Sequence, residues 1–582
     1  MKGSAAATPD EPADPTGVEA TAFSTATVKE AAYAYIREKI NLHQASLLYW
    51  QQRHNALSIV YRLPPELLAS IFKFVAADET DVSKLRWVSV SHVCSRWRRT
   101  ALDSPDLWSN IPFGNPPWAA EMLARSKKAL LTIEVMWGDG PGEVSQKQAP
   151  VVQPILAEAL TQLSRVKILS LTQGRHWSHE NFTDLTTLLD NPGPLLETLK
   201  ISFLTFGVDG WLPSRVISEA PRLLHLELSR CGIDWQGLSV RNLKSLEIFQ
   251  PLGPKCPSMI QFLSALSEMP SLESLQFRSP FAPNNSSTLP NNITDLPRLR
   301  YLHLDCELEN AVLLLERLAY PIHTRLKLIG WARDLDEDPT ISLIRRLVEK
   351  VKSTVQGPIR SLAVHQHHIK CWQTPGVKPD NPEFPPILEI AVINLSYQSS
   401  RLTKELWRPY SLEHLSSLTV IDIDFGPKTW RNLFGKLARL KTLRVGVTDM
   451  AFLDALSYGL STTLPPETSG TPALAGNPRF KALRRLTIMH WDCSDFYDSA
   501  TSIMEKLTEC LAARRGAGLP LHHLEFEKCF NVDEHEVDLL EEVVRTVEWE
   551  EYDSECRTDS EVEAWEDGAS GSELTDDGDM SD

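Results

Sequence analysis

No apolar run in this 582-residue chain approaches the roughly 18 residues needed to cross a bilayer; the longest, such as Ala311 to Leu315, are a few residues long. No membrane contact is expected. The opening stretch, MKGSAAATPDEPADPTGVEATAFSTAT, carries acids and prolines where a signal peptide needs a basic start and an apolar stretch, so export is not expected and the cytoplasm or nucleus is. The nine cysteines are odd in number and contain no C-x-x-C pair, which argues against a disulfide framework and a zinc finger and for reduced, mostly buried thiols. The N-x-S/T triplets at Asn181, Asn284, Asn292 and Asn394 are then chance matches.

Catalytic patterns are missing too. There is no G-x-S-x-G, H-E-x-x-H or P-loop, so hydrolase, metalloprotease and nucleotide-triphosphatase readings have no residues to stand on. Gly138, Gly140 and Gly142 are interrupted by Pro141 and read as a turn, not a phosphate cradle. His365, His367, His368 and Cys371 match no zinc spacing and read as solvent-facing residues of a loop. The most basic short run is Arg96, Trp97, Arg98 and Arg99, while the chain carries 59 Lys and Arg against 76 Asp and Glu. Nucleic acid requires a broad basic surface that is lacking. A non-catalytic protein without metal or cofactor is expected.

What is present is ordinary globular composition, 42% hydrophobic and 23% charged, in a chain long enough for several parts. The net charge of -17 is concentrated at one end: residues 548–582 hold 15 acids and one arginine, leaving the body nearly neutral. Such a tail cannot bury enough apolar surface to offset its ordering entropy and reads as disordered, as does the arm at 1–27. Between them, residues 28–58 place Tyr33, Ile36, Ile40, His43, Leu47, Trp50, His54 and Leu57 on one helical stripe. Two of the eight are histidine, which favours a helix docked within its own chain over a dimeric coiled coil.

Residues 59–111 form the next part. Pro64 and Pro65 suit a helix start, Glu66 complements its dipole, and Leu67, Leu68, Ile71, Phe72 and Val75 supply apolar positions. A second helix is expected to carry Trp87, Val90, Val93, Cys94 and Trp97, followed by a short turn ending in Leu107 and Trp108. Three blocks, Leu63-Pro64-x-Glu66-Leu67-Leu68-x-x-Ile71-Phe72, Ser91-x-Val93-Cys94-x-x-Trp97 and Leu107-Trp108, occur in order at suitable distances. In these blocks the segment resembles the F-box, an adaptor-binding motif. The resemblance implies docking to the Skp-type adaptor of a cullin-RING ubiquitin ligase, with Leu63, Pro64, Leu67, Leu68, Ile71, Val93, Cys94 and Trp97 facing the adaptor or holding the core that does. The bland alternative is that these residues only pack within the chain.

From 129 to 547 a pattern L-x-x-L-x-L recurs, clearest at Leu223, Leu226 and Leu228 and again centred on Leu199, Leu246, Leu275, Leu302, Leu362, Ile421, Leu443, Leu486 and Leu524; weaker copies centre on Ile133, Leu169, Leu326 and Leu388. At a mean spacing near 30 residues this resembles irregular leucine-rich repeats. It implies an α/β solenoid with parallel strands on one face and helices on the other; a plain helical-repeat solenoid is the competing fold. The segments around Cys371 to Phe384 and Ser461 to Pro478 read as inserted loops. Residues alternating with the leucines should line the open face, among them His225, Glu227, Gln276, Arg278, Tyr301, His303 and Asp305, candidates for holding a target protein. The expected function is that of a ligase's substrate receptor, the alternative an adaptor-binding scaffold without ubiquitylation targets.

Overall fold

The computed structural model describes residues 26–549 apart from short segments, the longest being 174–188, 283–291 and 461–476. The chain divides into two compact units, Met1–Leu131 and Thr132–Asp582.

The first unit is helical. Helix α1 spans Ala26–Ala56 and α2 spans Pro65–Ala77, with Pro at the first turn, where its missing N–H costs nothing. The second helix expected from the sequence is broken. A 3-10 turn covers Arg86–His92, Val93 follows, Cys94 is extended (φ −159°, ψ 168°), and α3 begins only at Ser95, running to Leu102. A further turn, Pro105–Trp108, and α4, Pro116–Arg125, complete the unit. Its core is aromatic: Phe72 meets Trp97 at 5.1 Å and Trp108 meets Trp87 at 5.1 Å, while the Trp108 indole N–H donates to the Ala101 carbonyl at 2.8 Å.

The docked reading of α1 does not hold. Tyr33, Ile36, Ile40, Leu47, Trp50 and Leu57 are each half or more exposed, and His43 and His54 are exposed beside them.

The second unit is built on one large sheet. Its strands, in chain order, are β1 Leu131–Trp137, β2 Val166–Gln173, β3 Thr198–Ser202, β4 His225–Ser229, β5 Ser245–Phe249, β6 Ser274–Arg278, β7 Tyr301–Glu307 and β8 Arg325–Trp331. Then follow β9 Ser361–His365, β10 His368–Trp372, β11 Leu388–Ile393, β12 Ser417–Ile421, β13 Thr442–Gly446, β14 Arg485–Met489, β15 His523–Glu527 and β16 Thr546–Trp549. From β2 to β8 each strand pairs in parallel with the next, and so do β12 to β16. The helical-repeat alternative therefore gives way to a helical unit followed by a mostly parallel sheet with helices, an α/β arrangement.

Register keeps the leucines in line. Leu199 faces Leu226, which faces Leu246 and then Leu275, while Ile201, Leu228, Ile248 and Phe277 form a second ladder two residues on. All are buried, so a one-residue slip would turn both ladders to the wrong face. Consecutive helices between the strands also touch one another, for example Met259–Ser267 with Leu308–Arg317 and Ile503–Gly516 with Glu534–Glu541. The first and third of these begin with capping boxes, Ser258 with Gln261 and Ser502 with Glu505.

A second repeating device is absent from the leucine pattern. Among the described residues, six five-residue strands are followed at once by a residue in the left-handed region: Arg230, Gln250, Gln366, Asp422, His490 and Lys528. Five of these bend the chain out of the parallel sheet, and the N–H of four reaches the next strand's end: Arg230 to the Phe249 carbonyl, Gln250 to Arg278, Asp422 to Gly446 and His490 to Glu527. The sixth, Gln366, makes the tight reversal between β9 and β10.

The middle of the sheet departs from simple succession. β8 pairs in parallel with β11, not β9; β11 and β10, and β10 and β9, pair antiparallel; β9 then pairs in parallel with β12. The meander β9 to β11 is thus laid into the sheet in reverse order. The ladders survive because Val364 faces Ile369 and Ile369 faces Ile390. Residues 371 and 372 of the expected inserted loop belong to β10, and most of the other expected loop lies outside the described residues, as do residues 1–25 and 550–582.

Candidate functional site: an exposed helix face and a polar ladder

Helix α2 has two apolar faces. Leu68 and Phe72, one turn apart, are fully buried. Leu67, Ile71, Phe74 and Val75 form the other stripe, and are 53%, 43%, 77% and 43% exposed. A helix apolar on two sides normally has something on each. Val93, just before α3, adds another exposed side chain, and Ile59 and Val60 lie open before α2.

The expected adaptor-facing set thus splits. Leu67, Ile71, Val93 and Pro64 are exposed, Leu63, Cys94 and Trp97 are half-buried, and Leu68 belongs to the core. Trp97 works inward as well, through its ring contact with Phe72. Phe74, the most exposed residue on α2's outer stripe, was not singled out by the motif, although its i, i+3 and i+7 spacing from Ile71 and Leu67 carries the signal.

The entry to α2 is braced by α3. The Arg96 guanidinium donates to the carbonyls of Tyr61 and Leu63 and lies 4.5 Å from the Tyr61 ring. Lys73 on α2 pairs with Asp106 at 2.6 Å. An open cleft of about 910 Å³ is lined by residues including Tyr61, Glu66, Lys73, Cys94, Arg96 and Arg99. Its mixed charges suit polar contact beside the apolar stripe.

On the sheet, the residues alternating with the leucines form their own ladder. Lys200 faces Glu227, which faces Glu247, Gln276, His303, Lys327 and Glu389 in turn. Gln276, Arg278, Tyr301, His303 and Asp305 are brought together on adjacent β6 and β7; His225 and Glu227 lie on β4, with β5 between. Glu227 pairs with Lys200 at 2.8 Å, and His225 is exposed.

This ladder is less open than expected. His303 and Asp305 are buried, as are Arg444 and Thr487 farther along. Asp305 accepts from the Trp331 indole N–H at 2.6 Å and from Arg278 Nε at 3.4 Å. Burial pushes its carboxyl up, opposed by Arg278 and Trp331. His303 meets Gln276 Oε1 through Nδ1 at 3.4 Å, while its buried Nε2 has no hydrogen-bond partner among the described residues. Burial, with the Lys327 and Arg278 charges, lowers its pKa to about 3. Burial alone would raise Glu389, but the His368 hydrogen bond at 3.0 Å and the Lys327 and Lys370 charges outweigh it and bring it down to about 2.

The histidine cluster is not a solvent-facing loop. His365 ends β9 and bonds Asp422 at 3.0 Å, His367 is buried against Thr403 at 3.2 Å, His368 opens β10 and Cys371 is fully buried within it. Lys327, Trp331 and Glu389 complete the polar ladder and were missed. Lys327 sits between Leu326 and Leu328 as His303 sits between Leu302 and Leu304, a signal the weaker repeat obscured.

A family model described as F-box-like matches residues 60–113, so the helical unit contains an F-box-like domain. The match ends at 113, before the first of the strands β1 to β16. No curated protein matches the chain.

Proposed function

We propose that this F-box-like protein is the substrate-recognition subunit of a cullin-RING ubiquitin ligase, acting without catalysis of its own in the cytoplasm or nucleus. The F-box-like domain docks a Skp-type adaptor, and the sheet, read as an irregular leucine-rich-repeat solenoid, holds a target protein near the ubiquitin-transfer machinery. Its contribution is proximity. The observation that carries the reading is the outer stripe of α2: four large apolar side chains stay exposed on a helix whose other face already fills a core. Such a stripe has the character of an interface centre.

The test is capture of the full chain by purified Skp-type adaptor. Leu67→Asp with Phe74→Asp places two charges on the exposed stripe and leaves the Phe72 and Trp97 contact intact. Binding should fall at least tenfold, since about 1.4 kcal/mol corresponds to that factor and interface hot spots exceed it. Undiminished binding by a variant with unchanged thermal melting would reject the surface. A substrate role is tested separately, by target-dependent ubiquitylation in the reconstituted ligase.

A further inference from the structure

Helix α1 carries a stripe that the described residues of its own chain leave open. Tyr33, Ile36, Ile40, His43, Leu47, Trp50, His54 and Leu57 are spaced three and four residues apart without interruption. The first seven lie on the helix and Leu57 directly follows it, its N–H bonded to the His54 carbonyl. Spacing that alternates three and four keeps one seam facing one partner along the whole length, the condition for a coiled coil. A helix that merely lies on a globular surface needs a broader, less regular stripe.

We propose that α1 pairs with α1 of a second copy of this chain as a parallel, in-register coiled coil. Area supports a second copy. Six large apolar side chains, half or more exposed, present on the order of 600 Å² per chain, and two chains together reach roughly 1,200 Å², the lower edge of stable interfaces. Charge supports the parallel direction. In that arrangement the flanking Lys39 meets Gln44 and Ser46 meets Gln51, so no like charges oppose. An antiparallel pair with the same overlap sets Lys39 against Arg53 twice, and both residues are basic.

The two histidines fit the same geometry. Only in the parallel, in-register pair does His43 meet His43, and His54 meet His54, of the other copy, where one ring nitrogen donates and the other accepts. A polar residue at a seam position is the device that fixes register and copy number. Tyr35, Leu42, Leu48 and Tyr49, also exposed, lie on the sides of the helix away from the seam and stay outside it.

The test uses the full chain in sedimentation equilibrium. The wild type should show a concentration-dependent mass reaching two chains, and Ile40→Glu with Leu47→Glu should give one chain with helical circular dichroism retained. Leu42→Glu with Tyr49→Glu should still give two. Direction is read independently with Leu47→Cys under oxidised glutathione: an interchain cross-link is expected, because each Cys meets its own copy. A wild type that remains a single chain, a dimer that survives the seam charges, or failure of the cross-link in a dimeric protein would each overturn the proposal. So would a monomeric wild type whose adaptor capture the seam charges abolish, which would assign the stripe to the adaptor.

Discussion

His303 is 5% exposed and lies within the field of Lys327 and Arg278, so its imidazole stays neutral to about pH 3. In the unfolded chain the same ring titrates near 6.5. Between those values the unfolded state binds a proton that the folded state refuses, so stability is full above pH 6.5 and is lost as pH falls toward 3. From pH 6.5 to 5 this amounts to about 1 to 2 kcal/mol, at up to 1.4 kcal/mol per unit. His303→Gln should remove that part of the pH dependence. Urea midpoints for both proteins at pH 7 and pH 5 measure it, and parallel losses would show that the ring is solvated. Asp305, whose carboxyl is raised, has the opposite sign, and Glu389 titrates far below this window. None of this was legible in the sequence, where His303 is one of several polar residues between leucines. Its protonation depends on which long side chains lie over it.

The elements carry a regularity the residues do not announce. Among the described residues, six strands are followed by a left-handed residue, and none of the six is glycine. A Cβ in that region costs about 1 to 2 kcal/mol per residue, more for β-branched side chains. Gln366, at the reversal between β9 and β10 (φ 44°), is exposed, and its carbonyl accepts from Thr403, a bond any residue preserves. Gln366→Gly should hold or raise stability by about 0.5 kcal/mol, since the relieved strain exceeds the added backbone entropy. Gln366→Val should lower it by about 1 to 2 kcal/mol. Thermal melting of the two variants checks both signs. The F-box pattern placed α2 well but joined the 3-10 turn and α3 into one helix. Apolar spacing runs through Val93 and Cys94 without a break, while the extended backbone at Cys94 leaves no mark in it.

At the scale of the molecule, the proposed repeat reading makes stability a sum of local terms, since each repeat then packs only on its neighbours. Leu524 is fully buried on β15, one strand from the last described. Leu524→Ala should cost about 2 to 5 kcal/mol there. Hydrogen exchange should rise in β14 to β16 and stay unchanged in β2 to β5; a uniform rise would mean that the sheet unfolds as one body. By itself the sequence determined the two kinds of unit, the F-box-like segment and the recurring leucine strands, because both depend on side-chain spacing along the chain. Only the tertiary structure decided the reversed meander β9 to β11, the burial of the polar ladder and the openness of α1. Strand order, cover and partner are relations between segments distant in sequence, and periodicity within any one segment is the same whichever neighbour it meets.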